Sequence, residues 1–126
     1  MRYAVISTQN ALLSGAIVKY LQERGEMYPQ RVQDPEKVMD TIRTIDADVL
    51  LMEVTRLPQF SLEKRLEISR TIRQQGLKCK VALLCDDHAD HELAEKVKEA
   101  MKIGSIDMFF YSSVSGEYLS AILDSL

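Results

Sequence analysis

Short apolar runs alternate along the chain with longer segments whose apolar positions recur every three or four residues. Arg2 to Ser7 (RYAVIS) is a β-branched run of strand length. Asn10 to Arg24 follows, with Leu12, Leu13, Ala16, Ile17, Tyr20 and Leu21 at helical spacing, and Gly25 stands where a left-handed C-cap belongs. Met27 to Gln33 is a weaker strand whose Pro29 argues for a sheet edge. Asp34-Pro35-Glu36 opens the second helix as cap, first-turn proline and first-turn acid, and Val38, Ile42 and Ile45 share its inner face. Ala47 to Val54 (ADVLLMEV) is almost continuously apolar, which suits a central strand covered on both faces. A loop containing Pro58 leads to Ser61, a cap for a helix with Leu62, Leu66, Ser69 and Ile72 inside and Gly76 at its end. Lys80 to Cys85 (KVALLC) is the next buried strand. Asp86 to Ile103 is a loop and helix with Leu93, Val97, Ala100 and Met101 inward, stopped by Gly104. Ile106 to Tyr111 is a fifth strand, and Ser115 caps a last helix carrying Tyr118, Leu119, Ile122 and Leu123. Five strands alternating with five helices predict a parallel sheet with right-handed crossovers and helices on both faces, a three-layer α/β sandwich. In such sheets the site to inspect lies at the carboxyl ends of the strands: Ser7 and Thr8, Glu53 to Leu57, Cys85 to His88, and Tyr111 to Ser113.

The 126 residues suffice for one domain, and we find no repeat, linker or low-complexity stretch, so the expectation is a single domain over 1–126. A hydrophobic share of 46%, a charged share of 28% and a net charge of -3 suit an ordinary globular domain and argue against a nucleic-acid binder. No apolar run reaches the ~18 residues of a membrane span, and Met1 to Ser7 is too short for a signal peptide. Cys79 and Cys85 are six apart in one apolar run, which predicts a shared strand, no disulfide and a reducing cytoplasm.

The segment Asp48-Val-Leu-Leu-Met-Glu53-Val-Thr-Arg-Leu-Pro58 resembles the third-strand segment of response-regulator receiver domains, where a proline follows shortly after the strand. Gly104-Ser-Ile-Asp-Met-Phe-Phe-Tyr111 resembles their approach to the fifth strand. The resemblance runs through the whole chain in order and spacing. It implies a doubly wound (βα)5 domain of the CheY-like, flavodoxin-like type. Receivers carry an acidic pair after the first strand for Mg²⁺, an Asp that accepts the phosphoryl group after the third, a Ser or Thr after the fourth and a Lys after the fifth. The matching positions here are Ser7 and Thr8, Glu53, Cys85 and Tyr111. Mg²⁺ wants hard, usually charged oxygen ligands in a strict octahedron, which two hydroxyls do not supply. Phosphoryl transfer is mostly positioning and charge neutralisation, and the metal pair and the Lys are both missing. The resemblance therefore implies a pseudo-receiver: a signalling domain outside phosphorelay chemistry, without enzymatic activity or a cofactor. It would act by contact with a protein partner or a fused output domain. Ser7, Thr8, Glu53, Cys85 and Tyr111 would line the vestigial pocket.

Two readings of Glu53 stay open: a standing carboxylate where a phosphoryl group would be, or a solvated acid at a strand end. Two other functions also stay open, an atypical phospho-acceptor using Glu53 or Asp86 and a small-molecule or metal sensor. Cys85, His88 and His91 have metal-ligand spacing, but three ligands without a fourth make a poor structural site, and our expectation is no metal. Cys85 beside acids is a poor nucleophile, and no glycine-rich phosphate loop or Gly-x-Ser-x-Gly elbow occurs. Residues 61 to 80 are basic, through Lys64, Arg65, Arg70, Arg73, Lys78 and Lys80. Residues 81 to 100 are acidic, through Asp86, Asp87, Asp90, Glu92, Glu95 and Glu99. Both are read as outward helix faces, and no aromatic platform for nucleic acid accompanies the bases. Phe109, Phe110, Tyr118 and Ile122 form the expected interaction surface, with a homodimer through the last helix and fifth strand as one use of it.

Overall fold

The computed structural model describes residues 2–126. In it β1 (Arg2–Ser7), α1 (Ala11–Arg24), β2 (Met27–Arg31), α2 (Val38–Ile45), β3 (Val49–Glu53), α3 (Leu62–Gln74), β4 (Lys80–Cys85), α4 (His91–Lys102), β5 (Met108–Tyr111) and α5 (Gly116–Ser125) follow in strict alternation. Short 3₁₀ turns at Pro35–Lys37 and Pro58–Phe60 lead into α2 and α3. The five strands form one parallel sheet in the order β2-β1-β3-β4-β5. Pro29 sits in the edge strand β2, where a missing N–H costs no ladder bond on the outer side.

Local chemistry sets the element ends. The Asn10 side chain accepts from the amides of Leu12 and Leu13, so α1 begins one residue after Asn10. Gly25 closes α1 in the left-handed region at φ 75°, its N–H bonded to the Leu21 carbonyl. Ser61, Asp90 and Ser115 cap α3, α4 and α5 through their side chains. With this start, the buried stripe of α1 is Ser14, Ile17 and Leu21. Leu12, expected inside, is 86% exposed and Tyr20 is 39% exposed. Cys79 precedes β4 rather than sharing it with Cys85, and both cysteines are free and buried.

Strand alternation divides the core into two layers. Ala4, Ile6, Val49, Leu51, Ala82, Leu84 and Phe110 pack under α1 and α5, against Ile17, Leu21, Leu119 and Leu123. Val5, Leu50, Met52, Val81, Leu83 and Cys85 pack under α2, α3 and α4, against Val38, Ile42, Ile72, Leu93 and Val97. Phe110, expected on the interaction surface, is thus a core residue at 3% exposure, because period two turns it inward between Phe109 and Tyr111. Phe109 and Ile122 are half-buried against the core, and Tyr118 is exposed. Gly116 starts α5 beneath the Tyr20 ring; a Cβ there would fall inside the ring's van der Waals radius. Among the described residues no helix is long and apolar enough to cross a membrane.

The amino ends of the strands are stitched by two carboxylates. Asp48, just before β3, accepts from the Tyr3 amide of β1 at 2.8 Å and pairs with Lys78 at 3.1 Å. Asp107, just before β5, accepts from the Val81 amide of β4 at 2.8 Å. Burial works against the Asp48 charge, but these donors and Arg2 hold its carboxyl below the usual carboxylate range. Asp48→Ala leaves the Tyr3 amide unpaired and Lys78 without this partner. We expect a loss of about 1–2 kcal/mol in urea unfolding with an unchanged m-value.

Candidate functional site

The sheet order reverses between β1 and β3, so the crevice of this fold opens where those two strands end. Ser7 pairs in register with Met52, and the chain then turns through Thr8, Gln9 and Asn10 into α1. Glu53 is the last residue of β3. Alternation places it with Val49 and Leu51, on the α1 side of the sheet. One carboxylate oxygen, Oε1, accepts from the backbone amides of Gln9 at 2.7 Å and Asn10 at 3.2 Å. The end of β3 is thereby tied to the turn after β1. The turn is braced from within by Thr8, whose Oγ1 donates to the Asn10 carbonyl at 2.6 Å.

Beneath this turn lies a residue that the sequence reading placed on a solvated helix face. Arg65 of α3 is fully buried. Its Nε donates to the Glu53 carbonyl at 3.0 Å and its Nη2 to the Ser7 carbonyl at 3.3 Å, so one guanidinium fork bridges the ends of β3 and β1. The guanidinium carbon lies 5.1 Å from the centre of the Phe60 ring, a cation–π contact. Burial pushes the Arg65 pKa down to about 10 while the Glu53 charge holds it up, so the group stays a cation at neutral pH. Its Nη1 and the Ser7 Oγ are buried with no hydrogen-bond partner among the described residues. Arg65 stands three residues after Leu62 and four before Ser69, inside the stripe that faces the sheet; that spacing was the signal available in the sequence.

The five expected pocket residues separate into two groups. Ser7, Thr8 and Glu53 meet around the β1–α1 turn. Cys85 and Tyr111 lie side by side in the β4–β5 register, with the Cys85 thiol buried. Burial, then Asp87, Asp86 and Asp90, push the Cys85 pKa up to about 11, so the thiolate is suppressed. The Tyr111 phenol is pushed up by burial, Glu95, Cys85 and Asp87, and its ring meets Phe109 edge-on at 5.4 Å. His88 and His91 are exposed while Cys85 is buried, and among the described residues no three His, Cys, Asp or Glu side chains converge on one point.

Beside Glu53 a cavity of about 330 Å³ is lined by Val54, Thr55, Arg56, Asp86, Ala89, Asp90 and Leu93. Arg56 reaches across it from the β3–α3 loop to grip both carboxylate oxygens of Asp90 at the start of α4, with Nη2 at 3.0 Å from Oδ1. Asp90 also accepts from the Leu93 amide. The Arg56 hydrogen bonds, then the Leu93 amide, hold the Asp90 carboxyl down to about 2. Asp86 turns its Oδ1 to the amides of His88 and Ala89.

Arg65→Lys keeps the charge but loses the planar fork over two carbonyls. We expect a destabilisation of about 2 kcal/mol or more in urea unfolding, against about 0.5 kcal/mol for Arg70→Lys on the exposed face. Because the folded-state pKa of Asp90 is depressed, the contribution of the Arg56–Asp90 pair is complete above about pH 4 and is lost as pH falls towards about 2. The Arg56 Nε–H resonance should follow that window in NMR, and in Asp90→Asn its pH dependence there should vanish.

No family model matches the chain, and no curated protein matches it. Solved structures do. A DNA-binding response regulator of the LuxR family from Staphylococcus aureus superposes with a TM-score of 0.79 at 17% identity, over 99% of this chain and 98% of that one. The response regulator TrrA from Thermotoga maritima, in complex with Mg²⁺-BeF, gives 0.72 at 17% identity, over 99% and 98%. An orphan response regulator of H. pylori gives 0.76 at 16% identity, over 98% and 94%. These superpositions span nearly the whole chain, and the chain has the fold of response-regulator receiver domains.

Proposed function

We propose that the chain is a receiver-type signalling module that works without phosphoryl transfer, by contact with a protein partner or an output domain. The observation that carries this reading is the engagement of Glu53. One of its carboxylate oxygens, Oε1, is held by both the Gln9 and the Asn10 amide, at the strand end where the resemblance puts a phospho-acceptor. A group already bound in this way is poorly placed for in-line attack on a phosphodonor.

The donor set also speaks against Mg²⁺. Thr8 Oγ1 is committed to a backbone carbonyl, Ser7 Oγ is enclosed, and the Arg65 cation already donates to the Ser7 carbonyl. The likeness to a DNA-binding response regulator supports an output domain as one kind of partner. Protein contact is supported by Tyr118 on α5, 51% exposed, and by the half-buried Phe109 and Tyr111 of β5 and Ile122 of α5.

An amide NMR titration tests the reading, first with millimolar Mg²⁺ and then with beryllofluoride added as a phosphoryl stand-in. We expect the resonances of Thr8, Glu53, Cys85 and Tyr111 to stay in place. A saturable shift that spreads from Glu53 to α5 would overturn the reading and restore a phosphorylation switch.

A further inference from the structure

We propose that the space between α1 and α5 is a binding site for one small, uncharged, single-ring aromatic molecule. The site is separate from the crevice and does not depend on how Glu53 is read. A cavity of about 160 Å³ lies there. Its inner walls are hydrocarbon: Leu13 and Ile17 of α1, Leu84 of β4, Val114 and Leu119 of α5, all in or against one core layer. Of the described residues that line it none is charged, and only Tyr20 and Ser112 bring a polar side-chain atom. The cavity beside Glu53 differs in this respect, being lined by Arg56, Asp86 and Asp90, and so does the one between α2 and α3, with Glu36, Lys64 and Glu67. An ion entering the α1–α5 cavity gives up its water with no charge to answer it, which excludes that ligand class. Hydrocarbon-walled cavities of about 150 Å³ stay dry and take up benzene, so the size and lining here select a single ring.

The mouth of the cavity adds a movable wall. The Tyr20 ring lies over Gly116 at the start of α5, where a Cβ has no room beneath it. Tyr20 is 39% exposed, and Ala16, one turn earlier on α1, is exposed beside it. A half-exposed tyrosine can change rotamer to admit a guest and then offer it an aromatic face. A guest in this cavity touches α5, the helix that carries Tyr118 and Ile122.

Benzene is the probe, titrated into the full chain, with benzoate as the charged control. Methyl NMR and thermal unfolding are the readouts. We expect saturable shifts of the Leu13, Ile17, Leu84 and Leu119 methyls and a rise of about 5 °C in melting temperature with benzene at roughly ten times its Kd. Benzoate should give neither. Ala16→Phe sets the chain's own ring at the mouth from an exposed helical position; it should fold like the parent chain and bind benzene at least about tenfold more weakly. The proposal is overturned if those methyls stay unmoved in benzene-saturated buffer, or if benzoate moves them equally. It is also overturned if Ala16→Phe keeps the parent response, which would place the benzene elsewhere. Should Ala16→Phe fail to fold, the smaller Ala16→Leu takes its place, and the same loss of response is required of it.

Discussion

The arrangement of the crevice depends on one guanidinium with no access to water. Arg65 gives two donors to carbonyls at the ends of β1 and β3, the two strands between which the sheet order reverses. A cation taken out of water is tolerated only when its donors are met and its charge answered. The Ser7 and Glu53 carbonyls, the Phe60 face and the Glu53 charge supply most of those terms, with Nη1 left unpaired among the described residues. The arrangement is reciprocal. Arg65 fixes where Glu53 begins, and Glu53 fixes the turn that roofs Arg65.

This charge plan differs from a metal site in its source of positive charge. A bound divalent ion can leave, and its arrival can be coupled to another event. A guanidinium on a helix cannot leave, and at a pKa of about 10 it does not titrate near neutrality. Under the proposed function, the domain is a shape held in one state that signals through the surface it presents.

Much of the architecture was legible in the sequence because strands and helices announce themselves by period. ADVLLMEV could only be central, Pro29 marked an edge, and Ser61 and Ser115 marked helix starts that the structure repeats. Several side chains were misplaced, and three of them show the physical reason. Leu12 looked like core, but it stands five residues before Ile17, about 140° round the helix from the buried stripe. Phe110 looked like surface because an aromatic run hides the alternation within it. Arg65 looked solvated because arginine usually is, although its spacing from Leu62 and Ser69 put it on the buried stripe. Glu53 was located by its place at a strand end, but the partners of its carboxylate are backbone amides, which no residue pattern encodes.

The carboxylate stitches at the amino ends of the strands give the sheet a mechanical polarity. Asp48 ties β3 to β1 and Asp107 ties β5 to β4, each by a hydrogen bond of 2.8 Å from a neighbouring strand's amide. At the opposite ends the joints run through loops: Glu53 to a turn, and Arg56 to the start of α4. At the crevice end Arg65 is the one side chain among the described residues that bridges strand end to strand end, so the seams of the sheet are carboxylate-to-amide stitches at one end and a single guanidinium at the other.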